Sequence, residues 1–288
     1  MIASAGPVDP LSRYGVDAIV PMGMDCVITS ILLEKGLRKG AYPFDWALTF
    51  CGVAAHLSTS LSNVLSPAGR GDETHPVARN TRAAKPMNRN GDLFWHHMGA
   101  LQPGHEDAQK LRRRVNRLQE LLVRSHPAGA RVVFMRLGHH SRHHRECLGP
   151  RLCCDEVADA EFMLAAVRQK YPRARCTMLL VLRCCECHGL CTKTRFSKRT
   201  VTRDADLTVM CHDEAAKGNE FDPSLAGCAL WKDGAELCVS KYLQALKKEH
   251  AAVGAAREAA DEERRKAEQD AKDRQGHFKK DGSYMWGT

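Results

Sequence analysis

Four short apolar runs restrict what this chain can fold into. They fall at residues 18–21 (AIVP), 131–136 (RVVFMR), 176–182 (CTMLLVL) and 206–211 (DLTVMC). Each has the length of a buried strand rather than of a helix. Between the second and third runs lies a helical pattern over 157–171, with Val157, Phe162, Leu164, Ala165 and Val167 apolar. Strand, helix and strand at this spacing make a βαβ unit. Such a unit pairs its strands in parallel, because a parallel connection needs a crossover of a dozen residues or more. The expected fold is a three-layer α/β sandwich with a mainly parallel central sheet, in which the four runs are neighbours.

The segments between the runs complete this plan. Over 107–125, Leu111, Val115, Leu118 and Leu122 recur four, three and four residues apart, which predicts a helix with one apolar stripe. Arg112, Arg113, Arg114 and Arg117 lie largely off that stripe, either as a solvated face or as contacts to phosphates. Residues 1–15, with Pro7 and Pro10, read as a disordered lead-in. One α/β domain then spans 16–246. It includes a helix over 47–65, a long loop at 66–91 rich in Pro, Gly, Arg and Asn, and a His/Cys-rich loop at 138–154. Leu230 and Trp231 mark a short aromatic turn before a helix at 237–246. From 247 to 288 the chain is Ala- and charge-rich with almost no large apolar residue, a charged helical or disordered tail outside the core.

The chemistry is expected near the first run. After Ala18-Ile19-Val20 the chain turns at Pro21-Met22-Gly23, where glycine adopts φ > 0 at little cost. Asp25 is a candidate N-cap for a helix over 27–35, with Ile28, Ile31, Leu32 and Lys35 on one face and Gly36 as C-cap. Cys26 therefore stands at the first turn of a helix that follows a strand. The positive end of the helix dipole there favours a thiolate, the form a nucleophilic cysteine needs. The alternative is a small buried thiol, a common fate of cysteine.

Gly23-Met24-Asp25-Cys26, the helix after it, Gly36-Leu37-Arg38, Tyr42-Pro43-Phe44-Asp45-Trp46 and Phe94-Trp95-His96 together resemble a domain family of unknown function described as papain-like cysteine peptidases. The likeness continues through Lys110 to Arg117 and Val132 to Arg136, and thins after residue 140. It implies a Cys–His pair, Cys26 with His96. The family follows this histidine with an aspartate where this chain has His97, so His97 is the second candidate imidazole. Asp45 is the candidate third member that orients the imidazole; an aspartate between aromatics equally often caps a turn or bonds to backbone. The amide of Cys26 and its helix neighbours would form an oxyanion hole. Strand–helix alternation, rather than papain topology, is taken for the fold.

These features favour a cysteine-dependent hydrolase or acyl transferase acting on a peptide or acyl compound, with no cofactor. Two other classes stay open. The net charge of +9 and a pI near 9.0 suit an anionic partner such as nucleic acid, bound by a non-catalytic domain of the same fold. A metal-binding module is the third. His139, His140, His143, His144, Cys147, Cys153 and Cys154 are dense in soft ligands, and Cys184 and Cys187 form a C-x-x-C with His188 and Cys191 nearby. That knuckle is half of a zinc ribbon and lacks a distant partner. The 13 cysteines, the absence of a secretory leader pattern and the absence of a membrane span point to reduced thiols in a cytoplasmic protein.

Overall fold

A five-stranded sheet in the order β1-β2-β3-β5-β4 forms the centre of the protein. Its strands are β1 (Ala18–Pro21), β2 (Arg131–His139), β3 (Arg175–Cys184), β4 (Phe196–Thr202) and β5 (Ala205–Asp213). The computed structural model describes residues 9–23, 26–47, 49, 57, 61–67, 86, 88, 94, 96–124, 129–139, 156–184, 196–202, 205–213 and 225–280. All four predicted runs are strands of this one sheet, and β1, β2, β3 and β5 pair in parallel in that order. The antiparallel edge strand β4 was not foreseen. Its register shifts between Thr200 and Thr202, an irregularity that no residue pattern in the sequence announces.

Helices cover both faces. They are α1 (Val27–Glu34), α2 (Glu106–Val123), α3 (Glu156–Lys170) and α4 (Leu225–Lys280). Val20, Phe134, Met178 and Leu207 point into one core cluster, together with the α2 stripe Leu111, Val115, Leu118 and Leu122 and with Ala160, Met163, Leu164 and Val167 of α3. From β1 through β2 and β3 to β5, every step across the sheet runs in the same direction. Right-handed crossovers in one direction place their connecting helices on one face, where α2 and α3 lie. The opposite face carries Ile19, Val133, Leu179 and Val181, all buried. There α4 presents Ala235, Cys238, Val239 and Tyr242 at helical spacing, and the Tyr242 hydroxyl meets Thr177 Oγ1 at 3.1 Å. Lys35 bonds Glu236 at 2.7 Å and Lys232 bonds Glu34, so α1 lies beside α4 on this face.

Several boundaries differ from expectation. Part of the expected lead-in is folded: a turn in which Asp9 Oδ1 accepts from the Leu11 amide precedes a 3-10 turn at Ser12–Tyr14, while residues 1–8 lie outside the described residues. Leu11 and Tyr14 are buried although they belong to no periodic pattern. The N-cap of α1 is Cys26 itself, while Asp25 lies outside the described residues. At the other end Gly36, at φ +64°, and Leu37 donate to the carbonyls of Leu33 and Leu32, closing α1 as a Schellman motif. Phe162 is exposed on α3 and not part of its packed stripe. Leu230 and Trp231, expected in a turn, lie within α4. Of the predicted helix at 47–65 the described end is a 3-10 turn, Ser62–Leu65. Most of the 66–91 and 138–154 loops and residues 281–288 lie outside the described residues.

The chain divides into two units, one up to Tyr242 and one from Leu243. The second unit is the distal part of α4. From Ala251 to Asp273 it is almost wholly exposed, with pairs such as Lys266–Glu262 at 2.8 Å spaced one turn apart along it. Among the described residues no helix is long and apolar enough to cross a membrane.

Candidate functional site at the end of the first strand

Parallel strands end together, and the turn after β1 sits at that end of the sheet. The Met22 amide donates to the Met135 carbonyl at 2.8 Å, extending the ladder one residue past β1. Gly23 follows at φ +76°, and a Cβ there would overlap the side chain of Thr49. Both the conformation and the close approach require glycine. Among the described residues the parallel strands β1, β2, β3 and β5 follow one another in a single direction across the sheet, so no switch point of the kind that holds ligands in doubly wound folds falls between them. The candidate site forms instead at the outer strand, around the start of α1.

A buried arginine props this turn. Arg136 of β2 is 1% exposed and faces the same side as the core. Its Nε and Nη2 bond Glu156 Oε2 and Oε1 at 2.7 and 3.1 Å, and its Nη1 bonds the Met22 carbonyl at 3.0 Å and Thr49 Oγ1 at 2.7 Å. Thr49 Oγ1 in turn lies 3.1 Å from the same Met22 carbonyl. A guanidinium thus ties the end of β1, Thr49 and the first residue of α3 together. A Cβ on Gly138 would press on the Glu156 carboxylate, so this glycine makes room for the pair.

Cys26 caps α1, and its carbonyl accepts the first helical bond, from the Ser30 amide at 2.9 Å. Of the described cysteines with assigned burial, Cys26 is partly exposed, whereas Cys176 and Cys238 are buried. Burial pushes the Cys176 thiol up to about 12. One turn into α1, Thr29 Oγ1 donates to the Asp45 carbonyl at 2.6 Å. This bond joins the start of α1 to the turn at 42–47, which is closed by Asp45 N to Tyr42 O and Ala47 N to Phe44 O, each 3.3 Å.

The predicted site residues divide at this turn. Trp46 meets the ring of His96 edge-on, with centroids 5.5 Å apart and planes at 77°. His96 is exposed. The neighbouring Asp45 is fully buried, and its Oδ2 accepts from Arg38 Nε at 2.9 Å and also from Arg38 Nη2. Its Oδ1 is buried with no hydrogen-bond partner. Burial pushes the Asp45 pKa above the usual carboxylate range, and the Arg38 bonds oppose that rise. Among the described residues the Asp45 carboxylate serves Arg38 and not an imidazole, so the role of orienting a histidine passes away from it.

His97 has its own setting. Its Nδ1 lies 3.5 Å from Asp107 Oδ1, and its Nε2 lies 3.1 Å from Arg114 Nη1. Arginine has only donors, so this Nε2 is an acceptor and the ring is neutral, with its proton on Nδ1 facing Asp107. Burial first, then the Arg114 cation, holds the His97 value below that of an ordinary histidine, against the pull of Asp107. An Nε2 engaged by Arg114 is not available to a thiol. Of the two candidate imidazoles, His96 keeps an open edge.

Asp107 and Arg114 are seven residues apart on α2 and so share a face. The N-terminus of α2 is fixed by His105 Nδ1, which accepts from the Asp107 amide at 3.1 Å, and by Asp107 Oδ2, which accepts from the Gly99 amide at 3.3 Å. Arg117, one turn beyond Arg114, bonds the Ala41 carbonyl at 2.6 Å. Arg112 and Arg113 are exposed. The arginine-rich helix is therefore half solvated face and half clamp on the 38–47 segment. That a charged side chain lies inside an apolar strand, as Arg136 does in β2, was visible in the sequence; its partners Thr49 and Glu156 were not.

Among the described residues no group of three His, Cys, Asp or Glu side chains is placed to hold a metal ion. Most of the His/Cys-rich segments lie outside them. Comparison with protein-family models, with curated proteins and with solved structures finds no match.

Proposed function

We propose that the protein is a cysteine-dependent hydrolase or acyl transferase for a peptide or acyl substrate, with Cys26 as nucleophile and His96 as general base. One observation carries this reading: Cys26 is a partly exposed thiol at the start of a helix, beyond the C-terminal end of a parallel strand, while the other thiols with assigned burial are buried. The helix N-terminus favours the thiolate, and Thr29, one turn into α1, bonds the Asp45 carbonyl in the turn whose Trp46 meets the His96 ring, which supports pairing that ring with Cys26. The resemblance to papain-like cysteine peptidases supports the same pair.

In this reading the Cys26 sulfur attacks the substrate carbonyl, and amides at the start of α1 donate to the oxyanion that forms. His96 holds the thiol proton and returns it to the leaving group as the carbon–heteroatom bond breaks, leaving a thioester. Water, or an acceptor hydroxyl or amine, then gives its proton to His96 and displaces the sulfur. Asp45 acts through packing: with Arg38 it fixes the turn that carries Trp46, and Trp46 orients His96 as a positioning residue. A reducing, cytoplasmic setting suits such a thiol.

Iodoacetamide labelling followed by peptide mapping tests the proposal. At pH 6 Cys26 should label and Cys176 should not, and Cys26→Ser should remove the signal without loss of fold. Silence of Cys26 at pH 6 in the folded wild-type protein would overturn it.

A further inference from the structure

Three guanidinium groups gather around the 38–47 turn, with the Asp45 carboxylate among them. Arg38 gives two donors to a single oxygen of Asp45. Arg117 lies along Gly40, where a Cβ would stand 3.2 Å from its Cδ, and spends one Nη on the Ala41 carbonyl. Arg114 is partly buried and, among the described residues, bonds the neutral His97 ring. Burial holds Arg114 below the usual arginine pKa, Asp45 and Asp107 oppose this, and the Arg38 and Arg117 cations add to it; with their contacts to one turn, the three cations share one neighbourhood. Asp107 is the second carboxylate beside them: it accepts from the Gly99 amide at 3.3 Å and faces His97 Nδ1 at 3.5 Å, while Lys110 pairs more closely with Glu106, at 2.8 Å. Among the described residues three cations face two carboxylates, Asp45 and Asp107, which leaves one positive charge unmatched, and most of the guanidinium donors have no partner there.

We propose that Arg38, Arg114 and Arg117 form a binding subsite for a phosphate group, beside His97 and the Trp46–His96 pair. Planar guanidinium forks suit phosphate oxygens, and a phosphate monoester carries close to two negative charges at neutral pH. The arginines are already held in place, by Asp45, His97 and Ala41, so an anion meets donors that need little ordering. The substrate of the proposed thiol chemistry would then carry a phosphate substituent. This use of the subsite rests on the hydrolase reading; the subsite itself does not.

The test is calorimetric titration of the full chain with inorganic phosphate at pH 8 and constant ionic strength, with acetate and dimethyl phosphate as singly charged arms. Saturable phosphate binding is expected, at least tenfold tighter than either monoanion. Arg114→Gln should weaken it at least tenfold, and Arg112→Gln, on the exposed side of the same helix, should leave it unchanged. Arg117→Gln, at an exposed position, should also weaken it and serves if Arg114→Gln does not fold. Equal binding by wild type and both cluster variants, no saturable binding, or equal affinity for dimethyl phosphate would each overturn the proposal. Cys26→Ser should bind phosphate as wild type does. If Cys26 proves unreactive while phosphate still binds, only the hydrolase reading falls; if Cys26 labels and phosphate does not bind, only the subsite falls.

Discussion

Arg136 and Glu156 form an ion pair inside the protein, two bonds of 2.7 and 3.1 Å, and the same guanidinium holds the carbonyl that precedes Gly23. Both charges are out of water, so removing one strands the other. Arg136→Met should cost about 3–5 kcal/mol, read as a shift in urea midpoint. Replacing both, with Arg136→Met and Glu156→Leu together, should recover part of that loss because no charge is left unpaired. A double variant less stable than the single would show that the pair contributes more than mutual compensation.

Gly23 is the second fixed point of the turn. At φ +76° and against Thr49, it has neither the conformation nor the space for a side chain. Gly23→Ala should destabilise the fold by about 1–3 kcal/mol. It should also slow labelling of Cys26, since the turn leads directly into α1. An alanine variant with an unchanged melting profile would mean that the turn relaxes freely.

His97 gives a prediction in pH. Its folded-state value is lowered by burial first and by Arg114, opposed by Asp107, with His96 a further lowering neighbour. A depressed histidine binds fewer protons folded than unfolded. Its contribution is full above the ordinary value of about 6.5 and is lost as pH falls below it. Stability of the wild type relative to His97→Gln should therefore decline between pH 7.5 and pH 5 in paired urea titrations. A difference that stays constant across that range would show that His97 does not titrate out of register with the unfolded chain.

What the sequence made legible was whatever repeats with a period. The four apolar runs became four parallel neighbours, and the α2 stripe Leu111, Val115, Leu118 and Leu122 is buried as spaced. Structure set by a single local turn was not legible, as with Asp9 fixing Leu11, or the register shift in β4. For the site, the position of Cys26 at a helix start followed from strand, turn and helix signals alone. The pairing of Asp45 with Arg38 did not, although the two are seven residues apart, because neither periodicity nor charge spacing says how a turn folds back. The choice between His96 and His97 is likewise tertiary: Arg114, seventeen residues on, takes the Nε2 of one and leaves the other against Trp46.

The last prediction follows from that choice. His96 is exposed and touches Trp46, so His96→Asn should leave the fold intact. If its imidazolium stabilises the Cys26 thiolate, the alkylation rate of wild-type Cys26 should rise with pH around an inflection below the free thiol value of roughly 8.5. His96→Asn should then move that inflection up by about one pH unit, the scale of losing one neighbouring charge. His97→Gln should leave it in place, because the ring it removes is neutral and turned to Arg114 and Asp107. Measured as iodoacetamide rate against pH for the three proteins, the profiles separate the two histidines directly. A His97→Gln profile that shifts while His96→Asn overlays the wild type would exchange their roles. Three coincident profiles would leave the helix start as the one influence on the thiol, and the Cys26–His96 pair would have to be abandoned.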